Sequence, residues 1–326
     1  MKSVRRWLRS GGTAIALLLP LMSGAQLVEG LQGASGSTVG PDGALYVTEG
    51  LAGRVSRVDP RTGRVTTYAE GLPLALIGIG GAIDVTFVGG KAYVLVTLVG
   101  APFGTDVDGI YRVDEPNRFT VIADLGGFSA ANPPATPFDL SNGLQYTIER
   151  YRGGFLVTDG HHNRILRVSR EGEVSEFVAF GNVVPTGLAV AGNTVYMAEA
   201  GPVPHLPSDG KVVKLKSNPL RLGTVASGAP LLVDVEFGRG RTLFALSQGS
   251  FPQEEPLPPA GSPALPNTGV LLQVTADCGF RIVEDGLNLP TSLEIIGNTA
   301  YVVTLTGEIR KIPGIAKPPF GKHWCD

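Results

Sequence analysis

At 326 residues the chain is longer than one ordinary domain requires, yet its charge is nearly balanced, with 27 basic and 29 acidic side chains and a net charge of −2. That balance excludes a phosphate-tracking nucleic-acid binder, and a hydrophobic fraction of 43% excludes a disordered chain. The 45 glycines and 25 prolines suit many short strands joined by tight turns.

Residues 1–25 read as an export signal. Lys2, Arg5, Arg6 and Arg9 form a basic head, Ala14 to Leu21 an apolar run, and Ser23-Gly24-Ala25 a small-residue cleavage site before Gln26. An uncleaved anchor is the alternative, although the run is short of the roughly 20 residues a span needs. Either way the body is expected outside the cytoplasm, as a secreted, periplasmic or cell-surface protein. No later stretch is long and apolar enough to cross a membrane.

From Gln26 to Gly314 one pattern recurs about six times: turn, apolar strand, polar loop, strand, charged turn with Gly, strand. Gly40 to Pro73 and Arg150 to Pro185 are its clearest copies. Repeats of about 40–50 residues built from short strands signal a propeller. The expected fold is all-β, a six-bladed β-propeller of four-stranded antiparallel blades.

In chain order, blade 1 is expected between Ser37 and Ala69, blade 2 between Ile83 and Asp124, and blade 3 between Gly143 and Val178. Blade 4 follows from Gly187 to Ala226, blade 5 from Leu232 to Glu284, and blade 6 from Ser292 to Ile312. Blade 6 lacks an outer strand. The segment Leu27 to Leu31 resembles the outer strands at Thr67 to Pro73 and Ile282 to Pro290. It is expected to close the ring and so remove an open sheet edge. A seven-bladed or open array is the alternative. Residues 315–326 form a tail.

Chain direction sorts the loops. The short pairs Gly89-Gly90, Arg152-Gly153, Gly192-Asn193 and Gly297-Asn298 read as hairpin turns on the lower face. On the upper face fall the long loops Val99 to Asp108, Ala200 to Gly210 and Gly249 to Thr268. The last, rich in proline, reads as a semi-rigid flap or as a tolerated insertion.

Polar residues expected on the upper face include Glu49, Asp84, Asp159, His161, His162, Glu199, His205, Asp234 and Gln248. Carboxylates and imidazoles converging on a channel suit a divalent cation such as Ca²⁺, or general acid–base work. A structural role competes at each position. Asp159 ends a strand, where Asp caps a turn. Asp84 and Asp234 open innermost strands, where they can hold neighbouring blades by accepting backbone N–H bonds.

Several chemistries are absent. No His-Glu-x-x-His spacing and no Gly-x-Ser-x-Gly elbow occurs. Gly126-Gly127 is read as following no strand-to-helix pattern, which removes a phosphate loop. The two cysteines, Cys278 and Cys325, are too few for a Cys-rich zinc site. The propeller layout places both near the lower face, where a disulfide or two free thiols are open readings, and export permits the bridge.

The stretch Asn132 to Val178 resembles the third-blade region of the ScyD/ScyE family, and Val184 to Leu215 is similar to its next blade. Where that family has an aromatic Gly-x-Pro-Phe-Pro loop, this chain has Gly201-Pro202-Val203-Pro204-His205. The resemblance implies an exported propeller of the NHL-like and gluconolactonase-like group, and brings no agreed catalytic residues. Gluconolactonase-like enzymes hold a cation with Glu, Asn and Asp on innermost strands. Asp84, Asn142 and Asp234 stand near comparable places here, without a matching Glu on the opening strand.

The expected function is an exported binding or scaffold propeller that recognises a small molecule, glycan or envelope protein at the upper channel mouth. The alternative is a metal-dependent hydrolase or lyase using the Asp/His cluster.

Overall fold

The computed structural model describes residues 24–217, 220–259 and 261–317. The expected leader up to Ser23, the tail from Pro318 onward and Cys325 lie outside the described residues. A leading strand, β1 (Ala25–Val28), precedes blade 1, which comprises β2 (Ala34–Val39), β3 (Leu45–Glu49), β4 (Arg54–Val58) and β5 (Val65–Glu70). Blade 2 is β6 (Gly81–Val88), β7 (Lys91–Thr97), β8 (Gly109–Glu115) and β9 (Arg118–Asp124), followed by helix α1 (Leu125–Ala131). Blade 3 is β10 (Gln145–Tyr151), β11 (Gly154–Asp159), β12 (Arg164–Val168) and β13 (Val174–Ala179). Blade 4 is β14 (Pro185–Ala191), β15 (Thr194–Glu199), β16 (Lys211–Ser217) and β17 (Leu220–Ser227). Blade 5 is β18 (Leu232–Phe237), β19 (Leu243–Ser247), β20 (Gly269–Val274) and β21 (Phe280–Leu287). Blade 6 is β22 (Pro290–Ile296), β23 (Thr299–Thr304) and β24 (Ile309–Pro313), with β1 pairing onto β24 as its outer strand.

Each sheet is antiparallel and four-stranded, and the innermost strands touch in a closed circuit from β2 through β22 and back to β2. The chain is a six-bladed β-propeller.

Burial explains the strand chemistry. The second strands are covered on both faces by adjoining blades, so β3 and β11 are buried at every position. Outer strands are covered once; in β13 only Val178 is fully buried. Six apolar clusters fill the six gaps between neighbouring blades, such as Tyr93, Leu95 and Ile110 of blade 2 against Ile148, Phe155 and Leu166 of blade 3. Removing one such ring, as in Phe155→Ala, would cost about 3–5 kcal/mol.

Ring closure differs from the sequence expectation by a few residues. β1 pairs Ala25 with Lys311 and Val28 with Ile309, and ends before Leu31. Gly30, at φ +79°, turns the chain away, and the Leu31 N–H instead reaches the Gly307 carbonyl at 3.1 Å. Ala25, part of the expected cleavage site, already belongs to this closure through its pairing with Lys311, and the Gly24 N–H donates to Glu284 on the outer strand of blade 5 at 3.0 Å.

A second difference is α1. Gly126-Gly127 does follow a strand and does lie in a helix. Asp124 caps that helix by accepting the Gly127 N–H at 2.7 Å, so a carboxylate occupies its N-terminus and a phosphate would be repelled there. The lower-face turns are as expected: Gly89 and Gly90 have φ of 58° and 78°, the conformation of a tight hairpin. Cys278 lies in the turn between β20 and β21, also on the lower face.

Candidate functional site

Innermost strands and upper loops enclose a central cavity of about 440 Å³, within the range of small-molecule sites. Apolar side chains line its mouth, among them Leu51, Ile79, Phe138, Val203 and Leu305. The loop Gly249 to Thr268 folds over one side. Gly261, Ser262 and Pro263 reach the cavity, Phe251 packs against Ala200, Leu231 and Ala264, and Gln253 Nε2 donates to the Pro204 carbonyl at 3.1 Å. These contacts tie the flap to the ring.

Deeper in the channel stand five carboxyl groups: Asp84 on β6, Glu149 on β10, Asp234 and Glu236 on β18, and Glu294 on β22. No lysine or arginine lines the cavity among the described residues. Two of the five are structural as well. Asp84 Oδ2 accepts the Ile148 N–H at 2.8 Å, joining blade 2 to blade 3, while its Oδ1 accepts from Val85. Asp234 repeats this half a ring away, accepting from Leu293 at 2.7 Å and from Val235 at 2.8 Å. Gly36 and Gly187 leave room for these clamps, since a Cβ there would lie 2.3 Å from Asp84 Oδ1 or 2.6 Å from Asp234 Oδ1.

Burial is the main force on these groups, and mutual repulsion adds to it. It pushes Glu149 and Asp234 up to about 7 and Glu236 up to about 8. Asp84 and Glu294 rise well above the ordinary carboxyl range, again through burial first, with neighbouring carboxylates adding to the rise. Glu294 lines the lumen, and its carboxyl group makes no hydrogen bond among the described residues.

Two imidazoles share the cavity. His161 stands beside Tyr146, edge to face at 6.4 Å, and His205 stands edge to face with Phe251 at 4.9 Å. His205 Nδ1 donates to the Ala200 carbonyl at 3.2 Å. Burial lowers both their pKa values, which favours neutral rings at pH 7. The carboxylates whose charge reaches these rings are Asp139 and Asp159 at His161 and Asp209 at His205. The imidazoles share the cavity with the channel carboxyls, and a neutral imidazole is suited to taking a proton.

Other expected residues lie elsewhere. Glu49 is sealed inside blade 1, accepting from Arg54, Ser56 and the Gln32 N–H. Those donors hold it below the usual carboxylate range despite its burial. Asp159 accepts from Arg164, Ser129 and the Leu144 N–H. His162 is fixed from both sides: Nε2 donates to the Leu140 carbonyl at 2.8 Å, which leaves Nδ1 to accept from Arg164 at 3.1 Å. Glu199 is buried at the end of β15, pushed to about 7 by that burial, and does not line the cavity. Asn142 also stands apart from the channel, because its amide donates to the Ala101 carbonyl and to Asp108. Asp84, Asn142 and Asp234 therefore do not converge. Among the described residues no three His, Cys, Asp or Glu side chains are gathered to hold a metal ion.

Sequence reasoning missed Glu149, Glu236 and Glu294. A signal existed: Ile148-Glu149 and Leu293-Glu294 follow their clamp partners at equivalent points three blades apart, and Asp234-x-Glu236 alternates along one strand.

No family model matches the chain, and no curated protein matches it in sequence. Solved structures do share the fold. Virginiamycin B lyase from Staphylococcus aureus matches with a TM-score of 0.54 at 15% identity, over 89% of this chain and 97% of that one. A gluconolactonase from Xanthomonas campestris matches with a TM-score of 0.60 at 10% identity, over 88% of each chain. A chain from a nidogen/laminin complex matches with a TM-score of 0.52 at 12% identity, over 80% of this chain and 84% of that one. At such identities the likeness is one of fold.

Proposed function

We propose that this chain is an exported binding propeller of the ScyD/ScyE type that takes a small molecule into its upper channel. The enclosed 440 Å³ cavity carries this reading. It is deep enough to surround a small molecule, whereas an extended glycan or an envelope protein would meet only the rim. The fixed clamps at Asp84 and Asp234 and the anchored flap give a preformed site, which lowers the cost of binding.

A thermal-shift screen of small molecules and oligosaccharides tests it. Thr147 lines the channel, and Thr147→Trp puts a large ring into the lumen. Compounds that raise the melting temperature of the parent protein are expected to lose that effect in this variant. Shifts that persist with the channel filled would refute the reading.

His161 and His205 favour a second reading, a hydrolase or lyase working by proton transfer in the same cavity, with a divalent cation such as Ca²⁺ as its cofactor. The fold's occurrence in a lyase and a gluconolactonase supports it. Elemental analysis and a chelator-dependent melting shift test the cation. Turnover of a screening hit, abolished in His161→Ala, would favour the enzyme.

A further inference from the structure

We infer that the ligand of this channel is a small organic cation with an apolar body, a hydrophobic amine, seated with its charge among Glu149, Asp234, Glu236 and Glu294 and its apolar part against the mouth. The inference rests on the channel reading above and names the chemistry of its ligand.

Charge complementarity is the first support. Five carboxyl groups from four innermost strands feel one another's charge; no lysine or arginine lines the cavity among the described residues, and Arg150, on the far side of the wall, offsets only Glu149. An ammonium group donates three hydrogen bonds and accepts none, which matches a wall of acceptors. Glu294, whose carboxyl group makes no hydrogen bond among the described residues, is the natural partner.

The walls supply the second support. Above the carboxyls the lining mixes polar groups, among them Asp139, His161 and His205, with an apolar part of the rim: Leu51 is 47% exposed, Phe138 41% and Ile79 37%. Three exposed apolar side chains around one opening offer contact area to a hydrophobic body and none to a bare ion. Nearby, Gln248 is nine-tenths buried and lines the cavity. Its Oε1 accepts the Ala264 N–H at 3.0 Å, while its amide nitrogen has no partner among the described residues. That free donor points to an acceptor atom on the ligand.

A metal ion fits less well. Ca²⁺ takes six to eight oxygens at about 2.3–2.6 Å, but the oxygens of Asp84 and Asp234 already accept backbone N–H groups, and among the described residues no three donor side chains are gathered to hold an ion.

Isothermal titration calorimetry at pH 8 with 4-phenylbutylamine, 4-phenylbutan-1-ol and calcium chloride tests the inference. The amine is expected to bind at least about tenfold more tightly than the alcohol, the worth of one charge-assisted bond. Glu294→Gln should remove that margin and leave the alcohol unchanged, and Glu236→Gln should do the same if the first variant folds poorly. Equal affinity for amine and alcohol would overturn the cationic class and leave the channel reading standing. So would silence of both probes while screening hits still vanish in Thr147→Trp. Stoichiometric calcium binding that excludes the amine would replace the organic cation with a metal. Amine binding unaffected by Thr147→Trp would sink both readings.

Discussion

Asp234 reaches across a blade boundary and accepts the backbone N–H of Leu293 at 2.7 Å. The bond does two things at once. It fastens blade 5 to blade 6, and it holds a carboxyl group at the channel wall. Asp84 and Ile148 repeat the arrangement on the opposite side. Asp234→Ala leaves the Leu293 N–H without its acceptor, at a cost of about 1–3 kcal/mol. Asp234→Asn keeps a carbonyl oxygen and should lose less. Urea denaturation of the two variants is expected to rank alanine below asparagine; equal midpoints would contradict the clamp.

The close approach behind each clamp gives a second expectation. Gly187→Ala would press a methyl group onto Asp234 Cα and Oδ1, at 2.5 and 2.6 Å. Overpacking of this kind costs about 1–3 kcal/mol. Gly286, with open space around it but φ of +67°, and Gly223, with only the flexible Lys214 side chain nearby, serve as contrasts. Thermal melts should place Gly187→Ala well below Gly223→Ala, and a Gly187→Ala melt like the parent's would count against the packing described.

Stability should fall as pH rises. Burial holds protons on Asp84, Glu149, Asp234, Glu236 and Glu294 to higher pH in the fold than in the unfolded chain, whose carboxyls ionise near 4. The folded state therefore binds more protons between about pH 4 and pH 8, and its stability drops across that window. His161 and His205 act oppositely below about pH 6.5, because burial disfavours their protonation. Burial raises Glu199 in the same sense, to about 7, so with six groups against two a net loss from pH 5 to pH 8 is expected. Glu236→Gln should recover on the order of 1–2 kcal/mol at pH 8, allowing for water in the lumen. A urea midpoint that climbs from pH 5 to pH 8 would contradict this.

Ring closure offers a fourth test. Removing residues 24–28 strips β1 from β24 and exposes the edge of blade 6. The truncated protein is expected to melt several degrees lower and to aggregate more readily. Unchanged melting would mean that the strand does not complete the blade.

Much of this architecture was legible in the sequence. The Gly-containing turns and the alternation of strands such as Arg54–Val58 repeat often enough to count blades. The likeness of Leu27-Val28-Glu29-Gly30-Leu31 to other outer strands identified the closing segment. Its register was not legible, because the turn at Gly30 is set by the Gly307 carbonyl, distant in sequence. The site was read less well. Glu49, Asp159 and His162 drew attention as polar residues at strand ends, yet Arg54 pairs with Glu49, and Arg164 holds both Asp159 and the His162 ring, within their own blades. Which strand-end polar group faces the lumen depends on local partners that the repeat does not fix. The carboxyl groups at 149, 236 and 294 lay inside strands, where an isolated Glu looks like a solvated edge until the ring places it on the axis.

The most direct test of the channel as the site is crystallography of the protein with the strongest compound from the thermal-shift screen. Density is expected inside the ring, between Phe138 and Tyr146 above and Glu294 below. Density confined instead to the lower face, where Arg150, Arg152 and Arg170 line a second, shallower groove, with the channel holding only water, would contradict the account.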